Sequence, residues 1–224
     1  MPLRLFTEDT SWEQARHDQR FTRSRLAAHD AHGKLTKPLQ ALLGDWRTVD
    51  GDRLQADDGL VDAHAVVSMV DYLLDEQVGA LASRLRYELG GAGADSHPTF
   101  RAFFAEAPTN VIRLSLESEI ARTRKFHHVA QEITVSPEVK AILKEVNAIQ
   151  VRGQAALEAR QEAQAAVTRV ALRIAAWKQA ANAARRAVET ALDAHANTHH
   201  LPRTYAAAFF PQPPPKKKKE KKLA

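Results

Sequence analysis

Residues at alternating steps of three and four keep one phase from Val139 through Ile142, Val146, Ile149, Gly153, Ala156, Arg160, Ala163, Val167, Val170, Ile174, Trp177, Ala181, Ala184, Val188 and Ala191 to His195, and nearly all of them are apolar. That spacing puts them on one stripe of an α-helix, and so long a stripe is buried only by lying against other helices. Ser136 can cap the start, Pro137 suits the first helical position, and Glu138 faces the positive end of the helix dipole. From there to Thr198 no further proline occurs and Gly153 is the single glycine. Unbroken, the helix would be about 90 Å long at ~1.5 Å per residue. The alternative is an antiparallel hairpin turning between Gly153 and Gln164, where the stripe is weakest; the Ala- and Glu-rich composition of that segment favours continuity.

The rest of the chain reads as shorter helical pieces. Residues 9–29 predict a helix capped by Asp9, Thr10 or Ser11 and, with few apolar positions, largely exposed. Thr36 can cap the next segment, with Pro38 in its first turn and Leu35, Leu39, Leu42, Leu43 and Trp46 on its buried face. RTVDGDRLQADDG, with Gly51, Gly59 and its aspartates, predicts a loop or frayed turn. A second long helix follows from about Leu60 to Leu89, on Val66, Val67, Met69, Val70, Leu73, Leu74, Val78, Leu81 and Leu85, ended by GGAGADSHP. An aromatic knot, Phe100, Phe103 and Phe104, precedes a helix from Thr109 to about His127.

Shifting the chain by 99 residues lays Thr10 on Thr109, Arg23-Ser24-Arg25 on Arg122-Thr123-Arg124, His29 on His128 and Pro38 on Pro137. After a further gap the Phe100-x-x-Phe103-Phe104 knot meets Tyr205-x-x-x-Phe209-Phe210. Repeat units of this kind complete one another's cores. The expected fold is therefore all-α, an elongated bundle of long helices made of two pseudo-repeated units packed together. The expected divisions are 1–108 and 109–210, each ending in an aromatic knot, followed by a disordered Pro/Lys tail, 211–224.

Charge changes the picture only at that tail. Lys216, Lys217, Lys218, Lys219, Lys221 and Lys222, less Glu220, account for the whole formal net charge of +5, leaving a neutral body. The high isoelectric point is therefore no argument that the folded body binds nucleic acid. The absence of cysteine excludes a disulfide framework, a cysteine nucleophile and thiolate-held zinc or iron–sulfur clusters. MPLRLFTEDTSWEQ lacks a signal peptide's apolar core and no window has the length of a transmembrane span, so a soluble, cytoplasmic protein is expected.

Candidate chemistry is sparse. His195 and His199 lie one helical turn apart beside His200 and Asp193, and a third metal ligand would have to come from elsewhere, such as His97; solvated histidines near a helix C-terminus are the commoner arrangement. The pairs His29 with His32 and His127 with His128 are weaker. No phosphate loop, dinucleotide fingerprint, nucleophile elbow, zinc-protease motif or di-iron Glu-x-x-His pair occurs, so no enzyme, cofactor or metal is expected.

Arg23, Arg25, Arg122, Arg124, Arg169, Arg173, Arg185 and Arg186 raise a phosphate-binding face, although on a neutral body they read mainly as salt-bridging groups. The aromatic knots read as packing, with Phe209 and Phe210, next to the tail, the candidates for a docking element. The tail lysines are candidate contacts for a partner or polyanion: nucleic-acid phosphates, an anionic membrane leaflet or, through Pro211-x-x-Pro214, an SH3-type domain. The functional expectation is a non-catalytic, helical scaffold or partner-binding protein with a C-terminal basic tether, its partner a protein, with homo-oligomerisation open. A nucleic-acid-binding protein using the tail and the arginine surfaces is the alternative.

Overall fold

The computed structural model describes residues 3–212, and the six tail lysines lie outside them. Among the described residues there are six α-helices and no strand: α1 (Trp12–Ala27), α2 (Thr36–Glu88), α3 (Pro98–Phe103), α4 (Pro108–Ile112), α5 (Leu116–Glu132) and α6 (Pro137–Thr198). The all-α expectation holds. The unbroken reading of residues 137–198 also holds: α6 runs for 62 residues, and the Ser136 hydroxyl accepts from Val139 N–H at its start.

The expected loop around Gly51 and Gly59 is not there. α2 continues through it for 53 residues. The reason is legible afterwards: Leu39, Leu42, Trp46, Val49, Arg53, Ala56, Leu60, Ala63, Val67, Val70 and Leu74 keep one 3-4 phase across both glycines, and the aspartates lie off it. Two glycines cost roughly 1 kcal/mol each in helix propensity, less than the burial of that stripe returns. α1 is also less exposed than expected, since Trp12, Ala15, Asp18, Gln19, Thr22 and Leu26 are all buried. Ser11 caps it, its hydroxyl accepting from Gln14 N–H at 3.1 Å. The single helix expected over 109–127 is two, α4 and α5, parted by a turn at residues 113–115.

The chain forms two compact units, Met1–Leu54 with Thr168–Ala224, and Gln55–Val167. These are drawn by contact and differ from the division at 108/109 drawn from the sequence repeat.

In the first unit, α1, the start of α2 and the end of α6 surround two clusters. One holds Phe6, Trp12, Ala15, Trp46, Val49, Trp177 and Ala181; the other holds Leu26, Leu39, Val188, Leu192, Ala206, Phe209 and Phe210. Trp12 stacks on Trp46 at 5.1 Å and meets Trp177 edge-on at 5.0 Å. Each indole N–H has an acceptor: Asp50 Oδ1, the Trp12 carbonyl and the Leu42 carbonyl.

In the second unit the rest of α2, α5 and the start of α6 pack around Val67, Val70, Leu74, Leu116, Ile120, Val146, Ile149 and Ala156. The other end of this unit is closed by Phe100, Phe103, Phe104 and Phe126 against Val78, Leu81, Leu85 and Val139. Each unit thus has the same parts: a short helix, the start of one long helix, the end of another antiparallel to it, and an aromatic knot.

Candidate functional site

In the first unit three imidazoles, His29, His32 and His195, gather around one phenol, and a fourth, His199, packs on the last of them. His29 immediately precedes and His32 lies within the short 3₁₀ segment after α1 (Asp30–Leu35), His195 sits in the last turn of α6 with His199 just past its end, and Tyr205 comes from the segment that follows. The rings form a chain: His29 to His32 at 4.5 Å, His32 to His195 at 4.6 Å, and His195 to His199 at 4.2 Å. The Tyr205 hydroxyl lies 2.7 Å from His32 Nε2 and 3.2 Å from His29 Nε2. One hydroxyl has one proton to give, so it donates to one ring and accepts the N–H of the other.

His32 is buried, and its proton affinity is lowered first by that burial and then by the charges of His29 and His195. His195 is lowered by desolvation, then by His199 and His29. Phe209 packs edge-on to both His29 and His32 and closes the cluster.

Beneath it, Arg185 is fully buried, with its guanidinium 4.8 Å from the Phe6 ring and 5.1 Å from the Phe210 ring. Its Nη2 donates to the Arg4 carbonyl at 3.1 Å. Burial brings its pKa down to about 10 against the opposing pull of Asp18 and Glu189.

The second unit holds an opposite arrangement. Glu119 of α5 is fully buried and faces Asp75 and Asp71 of α2. Burial, then Asp75 and Asp71, push its pKa up to about 8, and both aspartates are also raised, chiefly by burial. One turn on, the Thr123 hydroxyl donates to the Glu119 carbonyl and accepts from Gln150 Nε2, each at 2.8 Å. An acid followed four residues later by a buried threonine also occurs in α1, as Asp18 and Thr22, 101 residues earlier.

The sequence singled out His29, His32, His195, His199 and Arg185 without showing which of them meet, and the part played by Tyr205 and the facing of Glu119 with Asp71 and Asp75 were missed. His97, one place from which a third ligand beside His195 and His199 could have come, belongs to the second unit and there accepts from Thr99 N–H through Nδ1. The neighbours of that pair are instead His29, His32 and Tyr205, which come from elements that no spacing in the sequence joins. Among the described residues no three His, Asp or Glu side chains are arranged for a metal ion.

Phe209 and Phe210 are 6% and 4% exposed. As docking aromatics they are corrected: both rings are core, because they cover His32 and Arg185. Of the candidate phosphate-binding arginines, Arg122 pairs with Glu106, Arg173 with Asp52, Arg23 with Gln40, and Arg185 is buried. Comparison with protein-family models, with curated proteins and with solved structures finds no match to this chain. Among the described residues no helix is long and apolar enough to cross a membrane.

Proposed function

We propose that this is a non-catalytic helical protein that binds a protein partner through its helix surfaces, with the C-terminal lysines as an accessory basic tether. The observation that carries this reading is a set of large apolar side chains left in water on helices whose other faces already fill a core: Val61, Met69, Tyr72, Val151 and Leu172. The titratable groups support it, since His32, Arg185 and Glu119 are enclosed by packing. The arginines that would serve the nucleic-acid alternative are spent in part on Glu106, Asp52 and Gln40. The recurrence of the same parts in both units supports reading the two halves as copies of one helical element.

The test uses the full chain and a version ending at Phe210 as baits, with quantitative mass spectrometry of what each retains. The reading expects the same protein recovered in near-stoichiometric amount by both. A stoichiometric metal or nucleotide in the purified chain, or retention of nucleic acid alone and only by the full chain, overturns it.

A further inference from the structure

Within the second unit, α2 has two apolar stripes on opposite sides. Val67, Val70, Leu74 and Val78 are buried against the core. Val61, Ala65, Met69 and Tyr72, spaced by four, four and three residues, lie on the far side, where Val61 is 68% exposed and Met69 and Tyr72 are each 53% exposed. At 100° per residue these four fall within one narrow sector, so they form a continuous strip rather than scattered surface residues.

The strip is set in negative charge. From Gln55 to Ser83 the helix carries Asp57, Asp58, Asp62, Asp71, Asp75 and Glu76 and no lysine or arginine. Asp58, Asp62 and Glu76 share the exposed face with the apolar residues, and the Tyr72 hydroxyl donates to Glu76 Oε1 at 2.6 Å, holding the ring along the strip.

We infer that this face of α2 is the docking surface for a basic amphipathic helix of a partner protein. The inference rests on the partner-binding reading above and gives it a surface and a partner chemistry. Apolar residues at helical spacing ask for a matching apolar stripe, and the flanking carboxylates ask for lysines or arginines beside it. The same charges disfavour the other occupants: nucleic acid and anionic lipid are repelled, and a second copy would bring the same acids against these. From Asp58 to Glu76 the face is about 27 Å long at ~1.5 Å per residue, which fits a helix of about five turns.

The test measures, by fluorescence anisotropy, binding of a labelled five-turn peptide with leucines at 3-4 spacing and lysines alongside to the full chain at low and high salt. Two triple variants serve as comparisons, Val61→Ser/Met69→Ser/Tyr72→Ser and Asp58→Asn/Asp62→Asn/Glu76→Gln. All six positions are surface positions, and circular dichroism confirms the helices in each variant.

The expected result is binding weakened about tenfold or more in each variant and by salt, with no binding of a peptide carrying glutamates for its lysines. Equal binding by both variants and the wild type, or equal binding of the acidic peptide, overturns the inference. So does a wild-type dimer in analytical ultracentrifugation that the serine variant abolishes, because the face then belongs to a second copy. A peptide of residues 212–224 that binds as tightly as the probe overturns it as well, assigning the face to this chain's own tail. If the serine variant retains the partner recovered by the wild-type bait, the surface is wrong while the partner-binding reading stands.

Discussion

Gly153 of α6 faces Ile120 of α5 so closely that a methyl group on Gly153 would lie 2.7 Å from Ile120 Cδ1, with Val70 and Leu116 at 3.4 and 3.5 Å. The only glycine of α6 is thus not a hinge but the place where the Ile120 side chain reaches the α6 backbone. Gly153→Ala gains about 1 kcal/mol of helix propensity, and because the atom in the way is the far end of the Ile120 side chain, which can shift, the overpacking loss falls at the low end of ~1–3 kcal/mol and cancels that gain. Gly153→Val adds bulk without that compensation and loses more. Ile120→Val removes the clashing carbon, and in that background Gly153→Ala becomes stabilising. Urea unfolding of the four proteins closes the cycle; additive effects of the two substitutions would show that the contact is not the reason for the glycine.

That glycine also shows where sequence reading stops. Periodicity found α6 and its start at Ser136 and Pro137, because a stripe in phase over many turns leaves few other solutions. It failed at Gly51 and Gly59, where local turn chemistry outweighed a phase that in fact runs on from Trp46 to Val67. The histidine cluster was illegible for a different reason. His29, His32, His195, His199 and Tyr205 come from three separate elements, and nothing in their spacing says which helix ends meet. The acidic strip on α2 was half visible: Val66 and Met69 were counted with one broad buried stripe, whereas both are exposed and Val67, Val70, Leu74, Val78, Leu81 and Leu85 face the core.

Glu119 gives the second unit a pH dependence of a definite sign. Its pKa is about 8 in the folded protein against an ordinary 4.5, so the folded state holds a proton that the unfolded state releases. Stability therefore falls as pH rises from about 4.5 to about 8, by up to ~1.4 kcal/mol per pH unit for one proton. Glu119→Gln removes this term, and the variant gains on the wild type steadily through that window. Urea midpoints followed by circular dichroism between pH 5 and pH 8 measure the difference, and parallel profiles would show that Glu119 is not the responsible group.

Arg185 and Asp18 make a matching claim about the first unit. Asp18 is buried and is the first of the two acids, with Glu189, whose charges favour the Arg185 cation through space, so Arg185→Met is expected to cost about 1 kcal/mol, and Arg185→Met/Asp18→Asn to recover most of it. The substitution also strips the cation from the Phe6 and Phe210 rings. All three tryptophans lie in this unit's core, so indole fluorescence during urea unfolding reports on it directly. A double variant no more stable than Arg185→Met alone would mean that the rings, not Asp18, hold the guanidinium.

The histidine cluster responds to pH in the opposite direction from Glu119. His32 and His195 bind protons less tightly than an ordinary histidine with a pKa of 6.5, so as pH falls through that value the unfolded chain is protonated first and the first unit loses stability. Facing these rings are His29, His199 and Tyr205, and no carboxylate contributes to either shift. A proton on His32 therefore meets only like charge from His29 and His195, and Tyr205 can then no longer donate to Nε2 of that ring. The group tied down by that hydroxyl is the segment from Leu201 to Phe210, which leads into the lysine tail. Amide exchange corrected for intrinsic rates is expected to show this segment opening more at pH 5.5 than at pH 7.5, while α5 does not follow. Tyr205→Phe should open it at both values, and His32→Gln should flatten the pH response. If the segment exchanges equally at the two values in the wild type, the histidines are packing groups with no bearing on how the C-terminal segment is held.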